Sequence, residues 1–135
     1  AVAVYVASGS AIAENNGGFL DQNTGNSNFT VTIDSDVTGN VYGRKSTSGN
    51  DVEEASVTIT NGIVSKNVYG GYVEDGTGSA SYNIVNISGG TVVGYVYGGH
   101  SYSGNAASNS VNISGGTFGS DSKIYAGYVS NSNNS

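Results

Sequence analysis

Apolar residues in this chain recur in columns. Val31 and Ile33, Val57 and Ile59, Val85 and Ile87, and Val111 and Ile113 each flank a single Thr or Asn. A second column holds Val41-Tyr42-Gly43, Val68-Tyr69-Gly70, Val96-Tyr97-Gly98 and Ile124-Tyr125-Ala126. Successive members of either column lie about 26–28 residues apart, and two columns sharing one period identify a repeat architecture. Branched residues at period 2 predict half-buried strands. No stretch places apolar residues at helical spacing, and the many glycines would each cost a helix about 1 kcal/mol. A third short strand is predicted in "NGIVS", "GTVVG" and "GGTFG". Three short strands with Gly, Asn and Ser corners make one coil of a parallel β-solenoid. The expected fold is therefore all-β: a parallel β-helix, right-handed by the usual rule for parallel crossovers, with about four coils of 26–28 residues. The coils are expected at 29–55, 56–82, 83–109 and 110–135. Residues 1–28 are expected to form an N-terminal strand followed by a linker or capping segment, because "VYVASG" from Val4 echoes the Val-Tyr column at too long a spacing.

Alternation also predicts which side chains face inward. Val41, Val68, Val96 and Ile124 point in, and the tiny residue two positions later points in beside a corner. The next column holds Arg44, Gly71, Gly99 and Gly127, and an arginine there is expected to require solvent. By parity Tyr42, Tyr69, Tyr97 and Tyr125 face out; the rival arrangement wedges them inside a wide coil. As an outer aromatic ladder they are candidates for contact with sugars or other proteins. Equally, such stacking serves to hold neighbouring coils together. The glycine pairs Gly89-Gly90 and Gly115-Gly116 are expected at corners that need positive φ or close backbone approach. The stretches "KSTSGNDVEEAS", "YVEDGTGSASYN" and "HSYSGNAASN" vary in length and carry most of the charge, which predicts a loop edge.

Composition narrows the function. The 135 residues carry a formal net charge of −6 with only four basic residues, too few to build a face for nucleic acid or an anionic membrane. No apolar run approaches the roughly 20 residues of a membrane-spanning helix, so membrane insertion is not expected. Twenty-two glycines would suggest disorder, but ten tyrosines and the regular valines oppose it. There is no cysteine, which excludes disulfides and thiolate metal sites.

Catalytic chemistry is sparse. His100 falls where other coils carry Lys45, Tyr72 and Tyr128, one filling of a variable position. Asp34 with Asp36, Glu53 with Glu54, and Glu74 with Asp75 fall at corners and loops, where solvated charge is the simplest reading. The sequons at Asn28, Asn86 and Asn112 come from strand polar columns and are expected to form Asn and Ser/Thr ladders. No catalytic residue, metal ligand or cofactor is expected, and an enzyme is not expected; the weaker alternative is a carbohydrate-active β-helix.

The stretch "NIVNISGGTVVGYVYGGHSYSGNAASNSVNISGG" resembles the repeats of Gram-negative autotransporter passenger domains, closely over about 83–128 and more loosely back to Phe29. That resemblance implies a right-handed parallel β-helix outside the cell, on the bacterial surface or secreted, with adhesive, aggregating or spacing work. Partners would be host or bacterial surface proteins, glycans, or copies of the chain itself. The translocating barrel of that family does not occur in these residues, and passengers run to more coils, which implies an excerpt or a short relative. Solenoid ends expose unpaired backbone groups and an open core. Val2, Val4 and Val6 form a ready strand with one apolar side, so head-to-tail self-association into a filament is a further expectation.

Overall fold

β-Branched residues at period 2 pair well with copies of themselves one coil away, and the strands stack accordingly. In a computed structural model, the structure describes residues 2–6 and 29–131, and all regular elements among them are strands. The chain is a β-solenoid of about four turns. One parallel sheet stacks β1 (Val2–Val6), β2 (Phe29–Ile33), β5 (Ala55–Ile59), β9 (Ile84–Ile87) and β12 (Ser110–Ile113) in that order. Its register aligns Val31 with Val57, Val57 with Val85, and Val85 with Val111, the first column of the sequence. A second sheet holds β6 (Ile63–Val64), β10 (Thr91–Val92) and β13 (Thr117–Phe118), as the third strand motif predicts. The third stacks β3 (Val41–Ser46), β7 (Val68–Val73), β11 (Val96–Ser101) and β14 (Ile124–Val129).

The core follows from the alternation. In β5, Ala55, Val57 and Ile59 are buried while Ser56 and Thr58 between them are half-buried. Val31, Ile33, Val57, Ile59, Val64, Val68, Val85, Ile87, Val92 and Val96 are all at most 1% exposed. Each such side chain contributes roughly 1.5–3 kcal/mol by leaving water. Corners need glycine for two reasons. Gly62, Gly90 and Gly116 have φ of 92°, 78° and 94°, and a Cβ on Gly62 would lie 2.3 Å from the Ser35 backbone. Asp36 joins the Gly62 corner by accepting the backbone N–H of Ile63, and Asp51, just before Val52, accepts that of Ser79, each at 2.9 Å.

Three features depart from expectation. First, β1 does not belong to the Val-Tyr column. It pairs with β2 in the Val-x-Ile column, Val4 against Val31 and Val6 against Ile33, because Val4 precedes Val31 by one coil period. The linker or capping segment expected at 7–28, Asn28 of the first sequon, and residues 1 and 132–135 lie outside the described residues.

Second, the stretch expected to be loop carries a fourth sheet, β4 (Val52–Glu53) paired with β8 (Ala80–Ser81). Val52 and Ala80 bury against Val73 as a small second core.

Third, Arg44 is fully buried rather than solvent-facing. Strict alternation fails at this point of the strand. A Cβ on Gly70 would lie 3.3 Å from Cβ of Asn83, and one on Gly71 would lie 2.5 Å from Cγ of the same residue. Two consecutive positions therefore face inward, and the pairing register between β7 and β11 skips Gly70 and Gly98. Size is exchanged across the coil. Where Asn83 and Asn109 occupy the interior, the facing residues are Gly71 and Gly99; in the coil where that register position is Ala55, the other side is Arg44. Burial lowers the Arg44 pKa, and the Glu53 carboxylate opposes that shift.

The interior asparagines replace missing backbone partners. Asn83 Oδ1 accepts the Ala55 N–H at 3.0 Å, and Asn109 Oδ1 accepts the Asn83 N–H at 2.9 Å. Their amides donate to the carbonyls of Val52 and Ala80 at 3.1 and 2.8 Å. A buried polar side chain is tolerated when so satisfied. The Gly71→Ala variant should lose about 2 kcal/mol or more, because the added methyl overlaps a side chain held by hydrogen bonds. Asn83→Ala should also destabilise, yet the double variant should lie at least about 1 kcal/mol above the sum of the two, since it removes the overlap. Urea denaturation of the four proteins measures this coupling, and strict additivity would refute the size exchange.

Candidate binding surface

The broken alternation decides what the third sheet shows to its outer side. With Val68 in the core, Asn67 and Tyr69 share the opposite face, and Asn67 Nδ2 donates to the Tyr69 hydroxyl at 3.2 Å. Because two inward positions follow, Tyr72 returns to the same face as Tyr69, three residues on instead of two or four. Their rings stack at 4.4 Å. The result is a double ladder. One column is Tyr42, Tyr69, Tyr97 and Tyr125; the other is Lys45, Tyr72, His100 and Tyr128, in the pairing register of the strands.

Within the first column the ring centroids are 5.1, 4.9 and 5.3 Å apart, at interplanar angles of 12°, 5° and 11°. This is the coil spacing of about 4.8 Å expressed in aromatic rings. These tyrosines are not an open aromatic plane: Tyr42, Tyr69 and Tyr97 belong to the same buried cluster as the valines. Tyr42 is 2% exposed, and Tyr69 and Tyr97 are each 7% exposed. Aromatic surface left accessible belongs to half-buried Tyr72, Tyr95 and Tyr125 and to exposed Tyr128. Parity in the sequence points to the first column and misses the second, whose signal is the i, i+3 pairing of Tyr69 with Tyr72 and of Tyr125 with Tyr128.

The second column is chemically graded along the axis. Lys45 Nζ sits 4.8 Å from the centre of the Tyr42 ring and pairs with Glu74 at 3.4 Å, a cation–π contact with its charge partly balanced. His100 meets Tyr72 and Tyr97 edge-on at 4.9 and 4.8 Å, and it also contacts Tyr69 and Tyr128. It is buried, and its Nδ1 has no hydrogen-bond partner among the described residues. Burial pushes its pKa down to about 4, against a smaller opposing effect of a backbone hydrogen bond. Burial and the neighbouring phenols push the Tyr97 pKa up. No group of three or more His, Asp or Glu side chains suited to a metal lies among the described residues.

Of the other expected contact residues, Val2, Val4 and Val6 lie on β1, whose partner is β2 of the same chain. β1 does not join the tyrosine sheet.

His100 links stability to acidity. Its pKa in the folded state lies below the usual 6.5, so the unfolded chain binds the proton first as pH falls. The contribution of neutral His100 is complete above about pH 6.5 and is lost progressively between there and about pH 4. After discounting for solvent screening, the loss should be on the order of 2 kcal/mol. His100→Tyr, which copies the neighbouring rungs, should remove that part of the slope. Urea midpoints of both proteins at pH 7, 5.5 and 4 test this; parallel curves would contradict it. Comparison with protein-family models, with curated proteins and with solved structures finds no match to the chain.

Proposed function

We propose that this chain is a non-enzymatic structural and adhesive module, a β-solenoid that holds contact residues in fixed rows on the surface of a bacterial or secreted protein. The observation that carries this reading is the double ladder. Rings locked at coil spacing lose little conformational entropy on contact, and the half-buried Tyr72 and Tyr125 and the exposed Tyr128 leave ring surface accessible beside the buried column. The resemblance of its repeats to autotransporter passengers supports the same place and work. Replacing the half-buried Tyr95, which contacts Tyr97 and Tyr125, and the exposed Tyr128 together by Ser should weaken binding to immobilised glycans, cells or sister molecules at least tenfold, with thermal unfolding confirming that the variant still folds. Unchanged binding by the folded double variant would defeat the adhesive reading and leave the ladder a purely stabilising device.

A second reading, stacking of copies along the axis, is favoured by a separate observation. Ile113 and Ile124 in the last described coil are 43% and 45% exposed, whereas their register mates Ile87 and Val96 are 1% and 0% exposed. That face fits another coil of the same kind, supplied either by further residues of the same protein or by a second copy, and β1 carries an unpaired edge among the described strands. Such a contact is heterologous and propagates instead of closing. Sedimentation and electron microscopy should then show concentration-dependent rods. Charged substitutions at Ile113 and Ile124 should abolish the rods without unfolding the monomer; a monodisperse wild-type monomer at high concentration would rule this reading out.

A further inference from the structure

The corner between the second core and the first sheet is built unlike the others. Glu54, Tyr82 and Ser108 occupy one register position in three successive coils, and all have positive φ, at 59°, 59° and 58°. A non-glycine residue in that region is uncommon, and a bulky one such as tyrosine is an outlier. In the next residue the chain turns inward, where Asn83 and Asn109 are tied into the interior hydrogen bonds. The left-handed residue is thus forced outward at each level, and the wall folds back on itself. A groove of about 700 Å³ results, a size that suits a small ligand. It spans three coils, a length of roughly 10 Å at the spacing of stacked strands.

The lining is chemically mixed. Tyr82 is 60% exposed and Ile84 38% exposed, so a large apolar surface is held in water with nothing described against it. Glu54 brings an exposed carboxylate, Glu53 a half-buried one that also acts on Arg44, and Ser108 and Ser110 bring exposed hydroxyls. No Lys, Arg or His lines the groove. Phosphates, sulfates and polyuronates would meet only repulsion from the carboxylates. A purely apolar ligand would strip water from the carboxylates and hydroxyls without replacing its hydrogen bonds. An extended peptide could not add a strand, because backbone groups here are already spent between coils: Tyr82 N–H on the Ala107 carbonyl and Ser110 N–H on the Asn83 carbonyl. A pyranose satisfies the whole lining. Its C–H face stacks on a flat ring, and its hydroxyls donate to carboxylates and exchange hydrogen bonds with serines.

We propose that the groove at Tyr82, Glu54 and Ser108 binds a short neutral oligosaccharide, with Tyr82 as the stacking platform and Glu54 as hydroxyl acceptor. The site lies on a different wall from the tyrosine ladders and stands whether or not those ladders are adhesive. The test titrates the intact protein with neutral tri- to hexasaccharides of glucose, mannose, galactose and N-acetylglucosamine, using calorimetry and NMR line shifts. At least one series should bind saturably and with little dependence on salt. Tyr82→Asn removes the ring but suits positive φ, so the fold is kept; it should weaken binding at least tenfold. Tyr82→Phe should retain binding, Glu54→Gln should weaken it several-fold, and Tyr102→Ala, an exposed tyrosine outside the groove, should leave it unchanged. Absence of saturable binding across the panel would overturn the proposal. So would undiminished binding by Tyr82→Asn, or a salt-sensitive preference for polylysine or for a polyuronate over the neutral sugars.

Discussion

Everything in this molecule depends on in-register parallel pairing between coils. Each residue meets its counterpart one period away, at a distance set by the backbone hydrogen bonds and not by side-chain choice. A side chain that packs well on a copy of itself is therefore rewarded at every rung. Valine and isoleucine do so in the core, as Ile59 does on Ile87; tyrosine does so in the ladder, as Tyr69 does on Tyr97. Asparagine does so wherever its amide can reach a backbone group of the adjacent coil. Asn67 N–H donates to Asn40 Oδ1, and Tyr95 N–H to Asn67 Oδ1, each at 2.8 Å.

The same constraint explains which substitutions a coil accepts. A change at one rung must suit both the neighbours along the column and the residue across the lumen. Arg44 meets the second condition because Ala55 is small, while Asn83 meets it because Gly71 lacks a side chain. Burial of a guanidinium beside Glu53 costs desolvation, but an empty space at that level would cost packing as well. Column and cross-lumen compatibility together make the coils alike without making them identical.

Much of the architecture was legible in the sequence because the coil period and the Val-x-Ile alternation survive every coil. The placement of β1 was legible too, since Val4 lies one period before Val31; the local likeness of "VYV" to the Val-Tyr column obscured it. The interior of the Arg44 column was not legible. Parity counting assumes uninterrupted alternation, and two successive inward residues at Gly70 and Gly71 break it without any signal beyond a Gly-Gly pair. That break sent Arg44 inside, brought Tyr72 beside Tyr69 and created the second column of the ladder. The buried asparagines were likewise hidden, because Asn in a polar, variable stretch reads as loop until its partners across the coil are known.

A site on such a scaffold is a stripe, and a stripe is edited one rung at a time. In the second ladder column Lys45, Tyr72, His100 and Tyr128 occupy one register position, so charge, aromatic area and titration behaviour differ by level while the backbone stays the same. At the folded-back corner, Glu54, Tyr82 and Ser108 share one unusual backbone conformation and differ only in chemistry. The strain of positive φ is borne there by the neighbouring hydrogen bonds of the asparagine ladder, which recur in the same step. Rigidity and variability are thus assigned to adjacent columns: inward Asn83 and Asn109 hold two of the corners and Asn83 Oδ1 holds the Ala55 N–H of the third, while the outward residue beside them differs from coil to coil. For a repeat protein this is the physical route by which recognition diversifies without a new fold, because the interaction that fixes geometry is separated by a single residue from the one that meets the ligand.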